Sequence, residues 1–79
     1  MIPTPQQCRA ARALLGISQD ALAKGSGVSK RAISYFEKEE MQLNKVNRDS
    51  VREFFEREGV LFIGETGVLL NQEKKKPRD

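Results

Sequence analysis

The sequence predicts a mainly α domain, four short helices in a compact bundle closed by a C-terminal β-hairpin. Three observations predict it. Helix-capping residues (Thr4, Ser18, Ser29 and Asn47) stand ahead of segments whose apolar residues recur three and four apart. Glycines at 16, 25, 27 and 59 fall where those segments stop. Beyond Gly59, two short apolar runs flank the turn-forming Gly64-Glu65-Thr66-Gly67, the pattern of strand, turn and strand.

The first helix is expected over residues 5–15. Thr4 is its cap, Pro5 takes the first helical position, and Gln7 stands three residues after the cap, where it can reach back. Cys8, Ala11 and Leu15 share one face, Arg9 and Arg12 lie elsewhere, and Gly16 closes the helix. Ser18 caps a second helix over residues 19–24, with Ala21 and Leu22 available for packing; Gly25-Ser26-Gly27 then reads as a tight turn. Ser29 caps a third helix from Lys30 to about Glu37, with Ile33 and Phe36 on its inner face and Val28 placed to staple back onto Ile33. Residues 38–46 read as a loop anchored by Met41, Leu43 and Val46. Asn47 caps a fourth helix over residues 48–58, whose Val51, Phe54 and Phe55 make a core face. The strands follow at residues 60–63 and 68–70.

At 79 residues the chain holds one small domain, expected over residues 4–70, with a polar, basic and disordered tail over residues 71–79. A domain this size buries only roughly 60% of its unfolded surface, and dimerisation commonly offsets the thin margin. The sequence has no apolar run near the roughly 20 residues needed to cross a bilayer, and its start lacks the features of a secretory signal. One cysteine and no histidine exclude an internal disulfide, a Cys-rich metal site and most hydrolase constellations. The expectation is a cytoplasmic protein that is no enzyme and carries no cofactor or metal. Charge is segregated: residues 1–36 carry Arg9, Arg12, Lys24, Lys30 and Arg31 against Asp20 alone, a net +4. Residues 37–73 hold nine acids against five bases, and the tail turns basic again through Lys74, Lys75, Lys76 and Arg78. A basic front half fits a polyanion-facing surface, with the acidic half turned away.

Two short helices joined by a glycine-containing turn, the second capped and basic at its start, satisfy what reading a DNA major groove requires. The groove is about 12 Å wide and accepts one helix. Residues in that helix's first turns reach base edges, so long and polar side chains belong there. Here they are Ser29, Lys30, Arg31 and Ser34. Positive charge at a helix N-terminus is mildly unfavourable on its own, so Lys30 and Arg31 ask for an anionic partner.

The stretch from Arg9 through Gln19-Asp20-Ala21-Leu22-Ala23, continued by Gly27-Val28-Ser29-Lys30-Arg31-Ala32-Ile33-Ser34-Tyr35-Phe36-Glu37, resembles the Cro and phage-repressor, or Xre, helix-turn-helix family. The resemblance covers roughly residues 6–63. It implies a lambda-repressor-like fold and a DNA-binding transcriptional regulator. It further implies base reading by Ser29, Lys30, Arg31 and Ser34. Gln19 is implied to touch phosphate and brace the recognition helix. Tyr35, Asn44, Lys45, Asn47 and Arg48 are implied to touch the DNA backbone. The chain departs from the pattern at Glu37-Lys38-Glu39-Glu40-Met41, where the family often has a glycine and where three acids would repel phosphate.

Both faces of the hairpin are apolar: Val60 and Phe62 project one way, Leu61 and Ile63 the other, with Val68, Leu69 and Leu70 on the returning strand. One face can cover the helices and the other needs a partner. The expected assembly is therefore a homodimer joined through residues 60–70, bound as a repressor to double-stranded DNA at an inverted-repeat operator. The competing reading is a protein-interaction module such as an antitoxin, which uses the same fold. Only nine polar residues follow the hairpin, which weighs against it.

Overall fold

Local chemistry sets each element in the computed structural model, which describes residues 1–71. Most of the expected tail, residues 72–79, lies outside the described residues. The order is α1 (Pro5–Leu15), α2 (Gln19–Ser26), α3 (Lys30–Glu37), α4 (Lys45–Arg57), β1 (Val60–Ile63) and β2 (Gly67–Leu70).

Helix α1 opens with a complete capping box: the Gln7 N–H donates to Thr4 Oγ1 and the Thr4 N–H donates to Gln7 Oε1, at 3.2 and 3.0 Å. The box also holds the far end of the chain. Gln7 Nε2 donates to the carbonyls of Gly64 and Gly67, and Thr4 Oγ1 donates to that of Glu65. The hairpin turn is thereby fastened to the start of α1, and Gln7 is fully buried in the process.

Helix α2 runs one half-turn further than the expected residues 19–24, and the chain turns only at Gly27, where φ is 78°. Gly25 stays helical because its missing side chain makes room for α4: a Cβ there would overlap the Phe54 ring. Of the two packing residues expected on α2, Leu22 is buried but Ala21 is exposed, and Ala23 packs on the core in its place.

Helix α4 begins three residues earlier than expected. Asn44, not Asn47, is the cap: its Oδ1 accepts the Asn47 N–H at 2.7 Å, so the competing asparagine is absorbed into the first turn. The helix ends at Arg57 with Glu58 as its C-cap. Of the three expected anchors in the preceding loop, only Leu43 is buried; Met41 and Val46 are exposed.

The strands pair antiparallel with Val60 opposite Leu70, Leu61 opposite Leu69 and Phe62 opposite Val68; β2 starts at Gly67, one residue before the expected start. Val60 is buried, and Phe62, Val68 and Leu70 pack against a core of Cys8, Ala11, Leu22, Val28, Ile33, Phe36, Leu43, Val51 and Phe55. Phe55 meets Phe54 and Phe62 edge to face, with ring centroids 5.6 and 6.0 Å apart.

Candidate nucleic-acid interface

Ser29 starts α3, its Oγ accepting the Ala32 N–H at 3.1 Å. Ile33, Phe36 and Glu37 bury the inner side of the helix. That leaves Ser29, Lys30 and Arg31 exposed at its start and Ser34 and Tyr35 half-buried one turn on. The four expected base readers thus lie on one short helix backed by core. Two of the exposed cations are already held. Lys30 Nζ lies 3.5 Å from Asp20 Oδ1 on α2, and the Arg31 guanidinium stands 5.6 Å from the centroid of the Tyr35 ring.

Behind this surface a polar network joins three helices at one carboxylate. Arg12 of α1 grips Glu37 with two hydrogen bonds, Nε to Oε2 at 2.8 Å and Nη2 to Oε1 at 2.6 Å. Gln19, the first residue of α2, donates to Oε1 at 3.0 Å, and the Cys8 thiol donates to Oε2 at 3.1 Å. Arg12 Nη1 also donates to the Ile17 carbonyl, and Arg9 Nη1 to the backbone carbonyl of Glu37. Burial alone would raise the Glu37 carboxyl, but hydrogen bonds from Arg12, Gln19 and Cys8 prevail and hold its pKa below the ordinary carboxylate value. Burial, aided by the same carboxylate, pushes the Cys8 thiol well above its usual range. Among the described residues no buried side-chain polar atom lacks a partner.

This network places two of the three acids that follow Phe36. Glu37 is buried and neutralised. Glu39 turns toward α1, with Gln6 Nε2 at 3.4 Å and Arg9 Nη2 at 3.9 Å from its Oε2. It also holds the left-handed backbone of the turn, φ 63°, that glycine would adopt without strain. Helix α3 accordingly ends at Glu37 and runs no further.

The remaining expected contacts divide. Asn44 and Lys45 are exposed at the start of α4, Lys45 Nζ reaching Asp49 Oδ2 at 2.9 Å; that bond lowers the Asp49 pKa. Asn47 is half-buried within the first turn. Arg48 corrects the expectation of a phosphate contact. Only 8% of the residue is exposed, and its guanidinium is turned inward to the Leu43 carbonyl at 2.6 Å and to the Met1 sulfur. Beginning α4 at Lys45 puts position 48 on the buried side of the first turn. The seven hairpin residues also divide, with Val60, Phe62, Val68 and Leu70 against the core and Leu61, Ile63 and Leu69 outward.

Residues 9–45, from α1 to the first residue of α4, match the helix-turn-helix family. The segment is a helix-turn-helix of the Cro and phage-repressor type. No curated protein matches the chain. The helix-turn-helix is a DNA-binding module, and α2, the Gly27 turn and α3 supply its two helices and the turn. No helix among the described residues is long and apolar enough to cross a membrane.

The expected brace by Gln19 on α3 is present as its bond to Glu37, but sequence reasoning missed the Arg12–Glu37–Cys8 network that this bond joins. Helical periodicity sorts residues within an element, whereas Arg12 and Glu37 meet across two. The available signal was a pair of opposite charges near the buried stripes of α1 and α3. The Lys30–Asp20 and Arg31–Tyr35 contacts went unread too, although positions 31 and 35 are four apart on one helix, the spacing at which side chains meet.

Proposed function

We propose that the protein is a sequence-specific transcriptional regulator, acting as a repressor. In this reading α3 enters the major groove of an inverted-repeat operator and the protein binds as a two-fold homodimer. The observation that carries it is the outer start of α3. Within a helix-turn-helix segment, Ser29, Lys30 and Arg31 are exposed while Ile33, Phe36 and Glu37 anchor the helix from behind. Arg31 is assigned a base contact, with paired hydrogen bonds to guanine O6 and N7 worth about 1–3 kcal/mol of discrimination. Lys30, Ser29 and Ser34 complete the reading set. Gln19, Asn44, Lys45 and Asn47 are assigned to the backbone; Arg48 is left out because it is buried. The action is placed in the cytoplasm, on chromosomal or phage DNA.

The dimer reading draws on the outer hairpin face. Leu61, Ile63 and Leu69 are 37, 58 and 51% exposed, an unusual concentration of large apolar side chains on one small sheet. In this reading hairpins from two subunits join into a shared sheet that covers them, and the dimer presents two copies of α3 about 34 Å apart, the spacing of half-sites one DNA turn apart.

Fluorescence anisotropy on DNA upstream of the protein's own gene, against a scrambled duplex, tests the regulator reading. Wild type should prefer the upstream duplex at least about tenfold, a floor well below the ordinary specificity ratio of roughly a thousandfold or more. The Lys30→Ala/Arg31→Ala double variant should lose the preference while staying folded. Equal binding to both duplexes by wild type, with no response to the double variant, would count against this operator and send the search to other DNA and then to a protein partner. Sedimentation at high micromolar concentration tests the dimer. Wild type should run as a dimer and Ile63→Lys/Leu69→Lys as a monomer, and a monomeric wild type that binds DNA singly would remove the dimer.

A further inference from the structure

We propose that Tyr35 is a positioning residue for Arg31: its ring serves as a shelf that presets the guanidinium for base reading, and it does not itself grip the DNA backbone. The inference rests on the DNA-reading role of α3 proposed above.

The geometry has three parts. Arg31 and Tyr35 are four apart on α3, so their side chains lie one above the other on the same face. The guanidinium sits 5.6 Å from the ring centroid, within the distance at which a cation is attracted to an aromatic face. The residue that carries the ring is anchored through its backbone. Tyr35 is half-buried, its neighbour Phe36 is in the core, and its backbone carbonyl accepts the N–H groups of Glu40 and Met41 at 2.9 and 3.3 Å. The turn after α3 therefore closes over the residue that carries the ring.

Chemistry favours a positioning role. A free arginine at an exposed helix start has many rotamers, and holding one for bidentate recognition costs entropy at the moment of binding. Contact with the ring removes part of that cost beforehand while spending none of the guanidinium's hydrogen bonds, because an aromatic face attracts the cation without taking up a conventional N–H bond. Lys30, the adjacent cation, is held differently. Its partner Asp20 lies 3.5 Å away as an exposed ion pair, an arrangement that competes with DNA for the ammonium donors. The two neighbouring cations thus differ in readiness: Arg31 is prearranged without an ion-pair partner among the described residues, whereas Lys30 must exchange one.

The test uses a duplex enriched by wild type from a random pool, together with its single base-pair variants, at two salt concentrations. Wild type, Arg31→Ala, Tyr35→Phe, Tyr35→Leu and the Arg31→Ala/Tyr35→Leu double variant are compared. Arg31→Ala identifies the base pair that Arg31 reads. Tyr35→Leu should reduce discrimination at that base pair by about two- to fivefold, the size of an exposed cation–π contact, and leave the salt dependence unchanged. Tyr35→Phe should retain discrimination, because phenylalanine keeps the ring. The double variant should be no worse than Arg31→Ala alone. In the free protein, the Arg31 side-chain methylene protons should show an upfield NMR shift that Tyr35→Leu abolishes and Tyr35→Phe preserves. Additive losses in the double variant, or a Tyr35→Phe defect as large as that of Tyr35→Leu, would overturn the inference while the DNA reading stands; so would an absent upfield shift. Failure of wild type to enrich any sequence would instead remove the DNA reading, and this inference with it.

Discussion

Glu37 is a residue on which three helices depend. Its carboxylate collects donors from α1 and α2 while its own helix carries the exposed cations, so a substitution in the hidden network also disturbs the presented surface. Removing one member of a buried pair leaves the other charge uncompensated, which costs about 3–5 kcal/mol. Arg12 is partly exposed, so Arg12→Ala should destabilise by about 3 kcal/mol, at the lower end of that range, read as a shift in the urea midpoint. The pH dependence follows from the direction of the Glu37 shift. The folded pKa lies below the ordinary value of 4.5, so protons bind the unfolded chain more readily than the native one. The stabilisation is fully present above pH 4.5 and disappears as pH falls through the folded value. Denaturant midpoints taken between pH 7 and pH 3 should therefore drop more steeply for wild type than for Glu37→Gln, which has no such proton to bind.

At the scale of elements, the start of α4 separates two asparagines that the sequence makes look alike. Asn44→Ala removes the cap and should cost about 1 kcal/mol, whereas Asn47→Ala, inside the first turn where alanine is the better helix former, should cost nothing or stabilise by a few tenths. Thermal melts of the two variants side by side check the assignment, and equal losses would contradict it. The same helix illustrates what the sequence does and does not disclose. Thr4, Ser18 and Ser29 each precede an apolar stripe, and Ser26, one turn before Ser29, is set aside by the glycines on either side of it, so α1 and α3 are legible to the residue. Asn44 and Asn47 are rivals one turn apart, and only the geometry of the incoming loop decides between them. Moving that start rotated Arg48 from an expected surface position into the interior. Gly25 was misleading for a related reason. Glycine reads as a break, yet here it permits close helix contact, and nothing local distinguishes the two uses until Phe54 is seen against it. The exposed start of α3 was legible because it is set by one helix; the contacts that fix Lys30 and Arg31 in place were not.

For the whole molecule, the proposed dimer makes a prediction about salt. Each phosphate contact neutralised by a cation contributes about −0.9 to the slope of log affinity against log salt. A two-fold assembly presents every side chain twice. Lys45→Ala should therefore reduce the slope by roughly two units if the protein binds as a dimer and by roughly one if it binds singly. Lys45 suits the measurement because its side chain is 85% exposed and, among the described residues, is engaged only with Asp49, so its removal should leave the fold intact. A slope that does not change would remove Lys45 from the proposed contact set.

The position of Cys8 has a practical consequence for following how the domain opens. It is the single cysteine of the chain, its residue has no exposed surface, and burial beside Glu37 suppresses the reactive thiolate. A thiol reagent can then reach it only after the elements packed against α1 have opened. When reclosing outpaces chemical trapping, the labelling rate equals the opening equilibrium multiplied by the rate for the unfolded thiol, so it reports the population of open molecules. Under native conditions wild type should label slower than the unfolded chain by the same factor that denaturant titration assigns to global unfolding. Faster labelling would reveal a partial opening around α1 short of global unfolding, turning an inert core residue into a clock for the first movement of the fold.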